Sequence, residues 1–429
     1  MFLTRRQIIL SIGQIPRQNI FHQIGPIERI SLIRSARYKS TIPILRNFLI
    51  FKSFLFPFML RSFWNQSSLN HLEEAEKLLL KKLKVKSYDT PVGEDLHIHT
   101  LEGGAPEDNT TPSSNKKSPL ILCHGYGQGA AAFYMNLPQL CDNLHVFAKD
   151  WMGYGISSRP SFNHQGVEAT EEHFISHMDI WRATNKIEKM ILCGHSLGGY
   201  LVVAYAERYP QFVEKLILVS PVGVPKKPTD FDEMISKRPF KIRSLMGFAS
   251  WLWEKGVTPG DMVRCFGPLG KKIVEGYAQR RFRDEGELDK VAFGEYLYHN
   301  AAATYGSGER ALNELLYPFA WAKKPLCDRI PNLDPKIPIH FIYGTEDWMD
   351  HRYAVEVQKT ASIGQTISVE TIEGAGHQVF LDKPFEFNAS VLKACGVINP
   401  ILRPFKETNS EEIVSKSVEK NISNPIVAE

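Results

Sequence analysis

From residue 119 onward, short apolar runs alternate with longer stretches of mixed apolar and polar residues. Six runs have the length of strands: Leu120–Cys123, His145–Lys149, Met190–Cys193, Lys215–Val219, Ile339–Tyr343 and Ile367–Ile372. Continuous apolar runs suit strands covered on both faces, and the stretches between them suit helical crossovers. The pattern predicts an α/β protein with a mostly parallel central sheet flanked by helices. Between Ser220 and Pro338 the alternation stops and no strand-like run appears. That gap predicts a helical cap over 223–337, inserted between core segments 76–222 and 338–405. Residues Glu102–Lys117, rich in Gly, Pro, Asn, Thr and Ser, read as a surface loop between two early strands. Residues 406–429 are polar, without an apolar period, and are expected to be a disordered tail.

Charge changes the picture at the N-terminus. The chain carries a net +4, yet residues 1–50 hold eight Lys or Arg and one acid, Glu28. The rest is therefore slightly negative, which argues against a nucleic-acid partner. Residues 1–40 place Arg5, Arg6, Arg17, Arg29, Arg34, Arg37 and Lys39 among Ile, Leu, Phe, Ser and Gln. This acid-poor composition is that of a mitochondrial transit peptide, with cleavage expected near Arg37–Ser40. Within 41–75, the apolar stretch Ile42–Phe63 is broken by Arg46, Lys52, Pro57 and Arg61. Three charges make a spanning helix costly, so a basic amphipathic segment lying on a membrane is expected, or else a helix packed on the protein's own core. The six cysteines show no Cys-x-x-Cys spacing, so neither a metal site nor a disulfide framework is expected, and no cofactor. Cys123 and Cys193 close apolar runs and read as buried thiols.

The strongest chemical signal follows the third strand: Gly194-His195-Ser196-Leu197-Gly198-Gly199, then a helix-like run Tyr200–Glu207. A Gly-x-Ser-x-Gly turn between strand and helix holds a serine hydroxyl above the sheet, at amides that favour developing negative charge. Ser196 is the candidate nucleophile. His124-Gly125-Tyr126-Gly127 follows the first core strand and reads as an oxyanion loop, with the amides of Tyr126 and Leu197 as donors. The general base must come late in the chain, and His377, in Gly374-Ala375-Gly376-His377, lies after the last strand. The acid is expected on the loop after Tyr343, as Asp347 or, alternatively, Asp350.

Several segments resemble one lipid-acting branch of the α/β-hydrolase superfamily. They are Asp150-Trp151-Met152-Gly153-Tyr154-Gly155 with Ser157-Ser158-Arg159-Pro160, Tyr296-Leu297-Tyr298-His299-Asn300-Ala301, Ser307-Gly308-Glu309 and Trp321-Ala322-Lys323-Lys324-Pro325. His377-Gln378-Val379-Phe380-Leu381-Asp382 is similar to the branch's His-x4-Asp acyltransferase element. The resemblance spans roughly residues 75–400. The branch contains a lipase coactivator without the serine, N-acyl-phospholipid hydrolases and the fungal mitochondrial cardiolipin-specific deacylases. Because Ser196 is present and the N-terminus is transit-like, the resemblance implies the deacylase type: cardiolipin cleaved to monolysocardiolipin on the matrix side of the inner membrane. Two alternatives stay open, a lysophospholipid acyltransferase using the same acyl-enzyme and a non-enzymatic lipid-binding regulator. In the cap, the apolar residues of Phe248–Trp253 and Leu315–Trp321 either line an acyl channel or pack the cap itself. Lys226, Lys227 and Lys237 either face phosphate headgroups or are solvated.

Overall fold

The computed structural model describes residues 67–104, 117–281, 289–303 and 306–402. The expected transit peptide, the Ile42–Phe63 segment, most of the 102–117 loop and the 406–429 tail lie outside the described residues.

The expected α/β architecture is present as one eight-stranded sheet in the order β1-β2-β4-β3-β5-β6-β7-β8. β1 (Lys86–Gly93) and β2 (Leu96–Gly103) form an antiparallel hairpin, and β2 pairs antiparallel with β4 (Val146–Lys149). β3 (Leu120–Cys123), β5 (Met190–His195), β6 (Val213–Val219), β7 (Ile339–Gly344) and β8 (Ile367–Ile372) complete the parallel part. The six apolar runs are β3 to β8, with β4 pairing parallel with β3 on its other edge. Alternate residues feed opposite faces: Ile121 and Cys123 join one apolar cluster, Leu120 and Leu122 the other. Cys123 and Cys193 are buried.

Helix α1 (Leu69–Leu80) starts at the Ser68 cap and buries Leu72, Ala75, Glu76 and Leu79. It runs across the expected boundary at 75, so residues 69–75 belong to the folded body. Helix α2 (Val167–Thr184) and helix α3 (Leu197–Arg208) cross between strands. Between β6 and β7 the described residues form α4 (Phe231–Ser236), α5 (Phe240–Glu254), α6 (Pro259–Cys265), α7 (Pro268–Arg281) and α8 (Lys290–Ala302), with no sheet strand among them. α8 packs on α1 and α7. No described helix is long and apolar enough to cross a membrane.

Three of the family-like segments, those at 150–160, 296–301 and 307–309, meet in one buried junction. Asp150 accepts from the amides of Ala130, Ile156 and Ser157 at 2.6, 2.7 and 3.3 Å. The Arg159 guanidinium donates to Gly155 O at 2.8 Å and to Asn300 Oδ1 at 3.0 Å, which joins the loop after β4 to α8. Ser307 Oγ donates to the Pro160 carbonyl, and Glu309 accepts from Thr258 Oγ at 3.0 Å and from Arg264. The Arg159–Asn300 and Ser307–Pro160 hydrogen bonds tie the cap to the core, and the part-buried Arg159 would be left unsatisfied if its partners moved away.

Candidate active site

Ser196 sits between the last residue of β5 and the first of α3, with φ 53° and ψ −115°. A non-glycine residue rarely holds such a φ, and the surroundings enforce it here. The Ser196 amide donates to Val219 O at 2.9 Å, and the Ser196 carbonyl accepts from Tyr200 and Val222. The flanking glycines are required by close approach: a Cβ on Gly198 would lie 2.4 Å from Cys123 O, and one on Gly194 would lie 2.6 Å from Gly198 O.

The elbow meets a histidine and a carboxylate from loops far along the chain. His377 Nε2 lies 3.1 Å from Ser196 Oγ, and His377 Nδ1 lies 3.0 Å from Asp347 Oδ1. The carboxylate accepts a hydrogen bond from Nδ1–H, which leaves the Nε2 lone pair facing the hydroxyl. The Asp347 side chain is fully buried and also accepts from the Met349 amide at 2.9 Å. Asp350, the alternative, accepts the exposed Arg352 guanidinium at 2.9 and 2.6 Å, and that ion pair holds its carboxyl below the usual range. Of the two aspartates, the structure brings Asp347 to the imidazole.

The His124–Gly127 turn, expected to serve as the oxyanion loop, is pressed against the elbow: a Cβ on Gly125 would lie 2.8 Å from His195 Nδ1 and 3.0 Å from Ser196 Cβ. His124 Nδ1–H donates to Gly125 O at 2.7 Å, while Nε2 accepts from the Trp151 amide at 3.1 Å. In a trans peptide the N–H points opposite the carbonyl, so pinning the Gly125 carbonyl aims the Tyr126 amide. Burial pushes the His124 pKa down to about 4, which keeps it the neutral ring this arrangement needs. Leu197 opens α3, where an amide has no acceptor within the helix. His195 Nε2–H donates to the His377 carbonyl at 2.9 Å, and its ring lies 4.9 Å from that of His377. His124 and His195 are braces.

Asp382 takes no part in the Ser196–His377–Asp347 line. Its carboxylate accepts from the Gly376 amide at 2.8 Å, so the His-x4-Asp spacing braces the loop that carries His377. Two contacts tie the cap to the site: the Gly260 amide donates to Tyr126 Oη at 3.3 Å, and Gln378 Nε2 donates to Tyr277 Oη at 3.5 Å. Trp348, 62% exposed, has its ring 5.2 Å from the His377 ring. No motif in the sequence marks Trp348, although it directly follows Asp347. Nothing local announces the Gly260–Tyr126 contact. Lys226, Lys227 and Lys237 pair with Asp328, Asp232 and Glu233, the solvated alternative.

A second Ser/His/Asp group exists. Ser87 Oγ lies 3.3 Å from His99 Nε2, and His99 Nδ1 lies 2.8 Å from Asp89 Oδ1, beside a cavity of about 480 Å³. Glu76 takes the same Nε2 at 2.7 Å. Burial pulls the His99 pKa down, but hydrogen bonds to Asp89 and Glu76 outweigh it and hold the ring up at about 10. An imidazolium has no lone pair for a serine proton, so this group is an ionic clasp between α1 and the β1–β2 hairpin. Among the described residues no three His, Cys, Asp or Glu side chains form a metal-holding group.

A strained serine between strand and helix, an imidazole beside it and a buried carboxylate behind define the serine-hydrolase type of site on an α/β sheet. The chain belongs to the family described as alpha/beta hydrolase fold, which matches residues 118–384. It is 34% identical over 345 residues to the human 1-acylglycerol-3-phosphate O-acyltransferase ABHD5, covering 78% of this chain and 92% of that protein. It is 35% identical over 292 residues to the mouse (lyso)-N-acylphosphatidylethanolamine lipase, covering 67% of this chain and 82% of that protein. Among solved structures, carboxylesterase CesB from Bacillus subtilis shares the fold at TM-score 0.53 and 18% identity, over 77% of this chain and 99% of that one.

Proposed function

We propose that this protein is a serine lipid hydrolase that removes a fatty acyl chain from a phospholipid, with cardiolipin as substrate and monolysocardiolipin as product. The Ser196–His377–Asp347 hydrogen-bond line carries the reading. Ser196 Oγ attacks the ester carbonyl as its proton passes to His377 Nε2, and the Tyr126 and Leu197 amides receive the oxyanion. His377 then protonates the departing alcohol, and water activated by the same nitrogen releases the fatty acid from Ser196. Asp347 orients the ring and stabilises its cationic form. Lipid substrates are supported by the names of the acyltransferase and lipase relatives. The narrower choice of cardiolipin, peripheral membrane association and a location on the matrix side of the mitochondrial inner membrane rest on the resemblance and on the Arg-rich residues 1–40.

The acyltransferase reading differs only in the acceptor, a lysophospholipid hydroxyl in place of water, and relatives bearing that name keep it in view. The contact of Asp382 with Gly376 gives it no separate support.

The purified chain should react with a fluorophosphonate at Ser196 and release fatty acid from cardiolipin within a phospholipid panel. Ser196→Ala should lower turnover by a factor on the order of 10⁶ and abolish labelling, with the fold retained. Absence of labelling in the wild type would point to the non-enzymatic regulator. Acyl transfer to an added lysophospholipid in preference to water would point to the transferase. Activity on other phospholipids with none on cardiolipin would overturn the substrate assignment alone.

A further inference from the structure

The cap presents an apolar surface that its own packing does not use. Helix α5 (FKIRSLMGFASWLWE) has no buried residue, and Phe240, Ile242, Leu245, Phe248 and Trp251 are exposed, Phe240 by 73% and Leu245 by 68%. Leu245, Phe248 and Trp251 follow at i, i+3 spacing along one side, with the Phe248 and Trp251 rings stacked at 5.9 Å. Trp253, by contrast, anchors the helix: its Nε1 donates to Leu316 O at 3.1 Å, and its carbonyl accepts from Asn313. A second exposed row runs along α6 and α7 through Met262, Phe266, Leu269, Ile273 and Tyr277. A water-facing helix normally turns such residues inward, so exposed rows of this kind mark a surface used for association.

Charge selects the occupant. From Phe240 to Arg281 the chain holds eight Lys or Arg and three acids, while the whole protein carries only +4. Among the described side chains of this stretch, Lys241, Arg243, Lys255, Lys272 and Arg280 are exposed cations, and Glu254 is the single exposed acid. A second copy meeting this face through itself would oppose cation with cation. The chain's own first 50 residues, with eight bases and one acid, are repelled for the same reason. An anionic phospholipid surface satisfies both features, since its acyl region takes the apolar rows and its phosphates meet the cations. Position agrees. The α6–α7 segment begins beside Tyr126 of the oxyanion loop and, at Tyr277, reaches Gln378 next to His377.

We infer that the outer face of α5, with the α6–α7 row, docks this protein on an anionic bilayer and sets the mouth of the Ser196 site against the lipid. The inference rests on the phospholipid reading above for its purpose, and its test is separate from it. Full-length protein is sedimented with phosphatidylcholine vesicles, with and without phosphatidylglycerol, and assayed on the same vesicles and on a short-chain soluble ester. The double variant Leu245→Asp, Phe248→Asp changes exposed side chains, of which Phe248 touches the neighbouring Trp251 ring on the same helix face. It should weaken partitioning onto anionic vesicles by about tenfold or more and lower hydrolysis of vesicle lipid in proportion, with soluble-ester turnover unchanged. Lys241→Glu with Arg243→Glu should weaken binding to anionic vesicles and leave binding to neutral ones alone. A double-aspartate variant that sediments like the wild type overturns the inference, as does one that changes only the oligomeric state. A wild type that binds vesicles through this face yet turns over no ester would sink the hydrolase reading and leave the docking surface standing.

Discussion

Asp347 and Asp350 lie on the same short loop, and their residue type and position after β7 qualify both as the acid. Their surroundings separate them. Asp347 is buried against His377 Nδ1, whereas Asp350 is spent on the exposed Arg352 guanidinium. Asp347→Asn should therefore lower kcat by roughly 10⁴-fold, because the amide no longer selects the tautomer that leaves Nε2 free. Asp350→Asn removes only a surface ion pair and should leave turnover within a few-fold of the wild type. Ester turnover of the two variants side by side checks this, and equal losses would show that the acid is misassigned. Spacing narrowed the choice, but the direction in which each carboxylate points is set by the fold of the whole loop.

At the scale of elements, the same substitution is expected to act in opposite senses at two glycines. On α3, a Cβ at Gly198 would lie 2.4 Å from Cys123 O and 2.5 Å from His124 O, both backbone atoms that cannot swing aside. Gly198→Ala should destabilise by about 1–3 kcal/mol and depress turnover, because the displaced strand end carries the His124–Gly127 turn that lies against Ser196. On α5, nothing lies within 4 Å of a Cβ at Gly247, in the helix interior. Gly247→Ala should stabilise by about 0.5–1 kcal/mol by restricting the unfolded chain. Urea midpoints read both effects, and a stabilised Gly198→Ala would contradict the packing described for the elbow. The Gly-x-Ser-x-Gly pattern and its strand-helix setting were legible in the sequence because this geometry is local. The packing demand on Gly198 comes from β3, a strand more than seventy positions earlier.

For the whole molecule, the buried histidines set a pH dependence of stability. Burial pushes the pKa of His124 down to about 4 and that of His173 to about 3, and it pushes His195 the same way. Below the ordinary histidine value of about 6.5 the unfolded chain binds protons that the folded chain refuses, so stability is full above that value and falls as pH drops. Each such ring contributes a slope of about 1.4 kcal/mol per pH unit, from about 6.5 down to its folded pKa. His99 has the opposite sign. Its imidazolium is held to about 10, so its contribution is complete below about 6.5 and is lost as pH rises through 10. Urea midpoints measured from pH 4 to 10 should peak near neutrality and fall more steeply on the acid side. A flat acid limb would show that these rings are not held neutral in the fold.

What the sequence by itself determined is what short stretches of chain decide alone: apolar runs long enough for strands, a strand-less insert long enough for a cap, and glycines around one serine. From these, the parallel sheet, the serine turn after its third parallel strand and the late position of His377 could be read. Tertiary structure alone decided that Asp347 meets the imidazole, that Asp382 braces a backbone amide and that Glu76, His99 and Asp89 form an ionic clasp. It also decided that α5 turns Phe240, Phe248 and Trp251 outward while Trp253 packs inward. Each of these depends on which distant groups share a dry or a wet environment, such as Glu76 beside His99 or Gly260 beside Tyr126. Charge state and exposure follow from those neighbours, and no local pattern of residues encodes them.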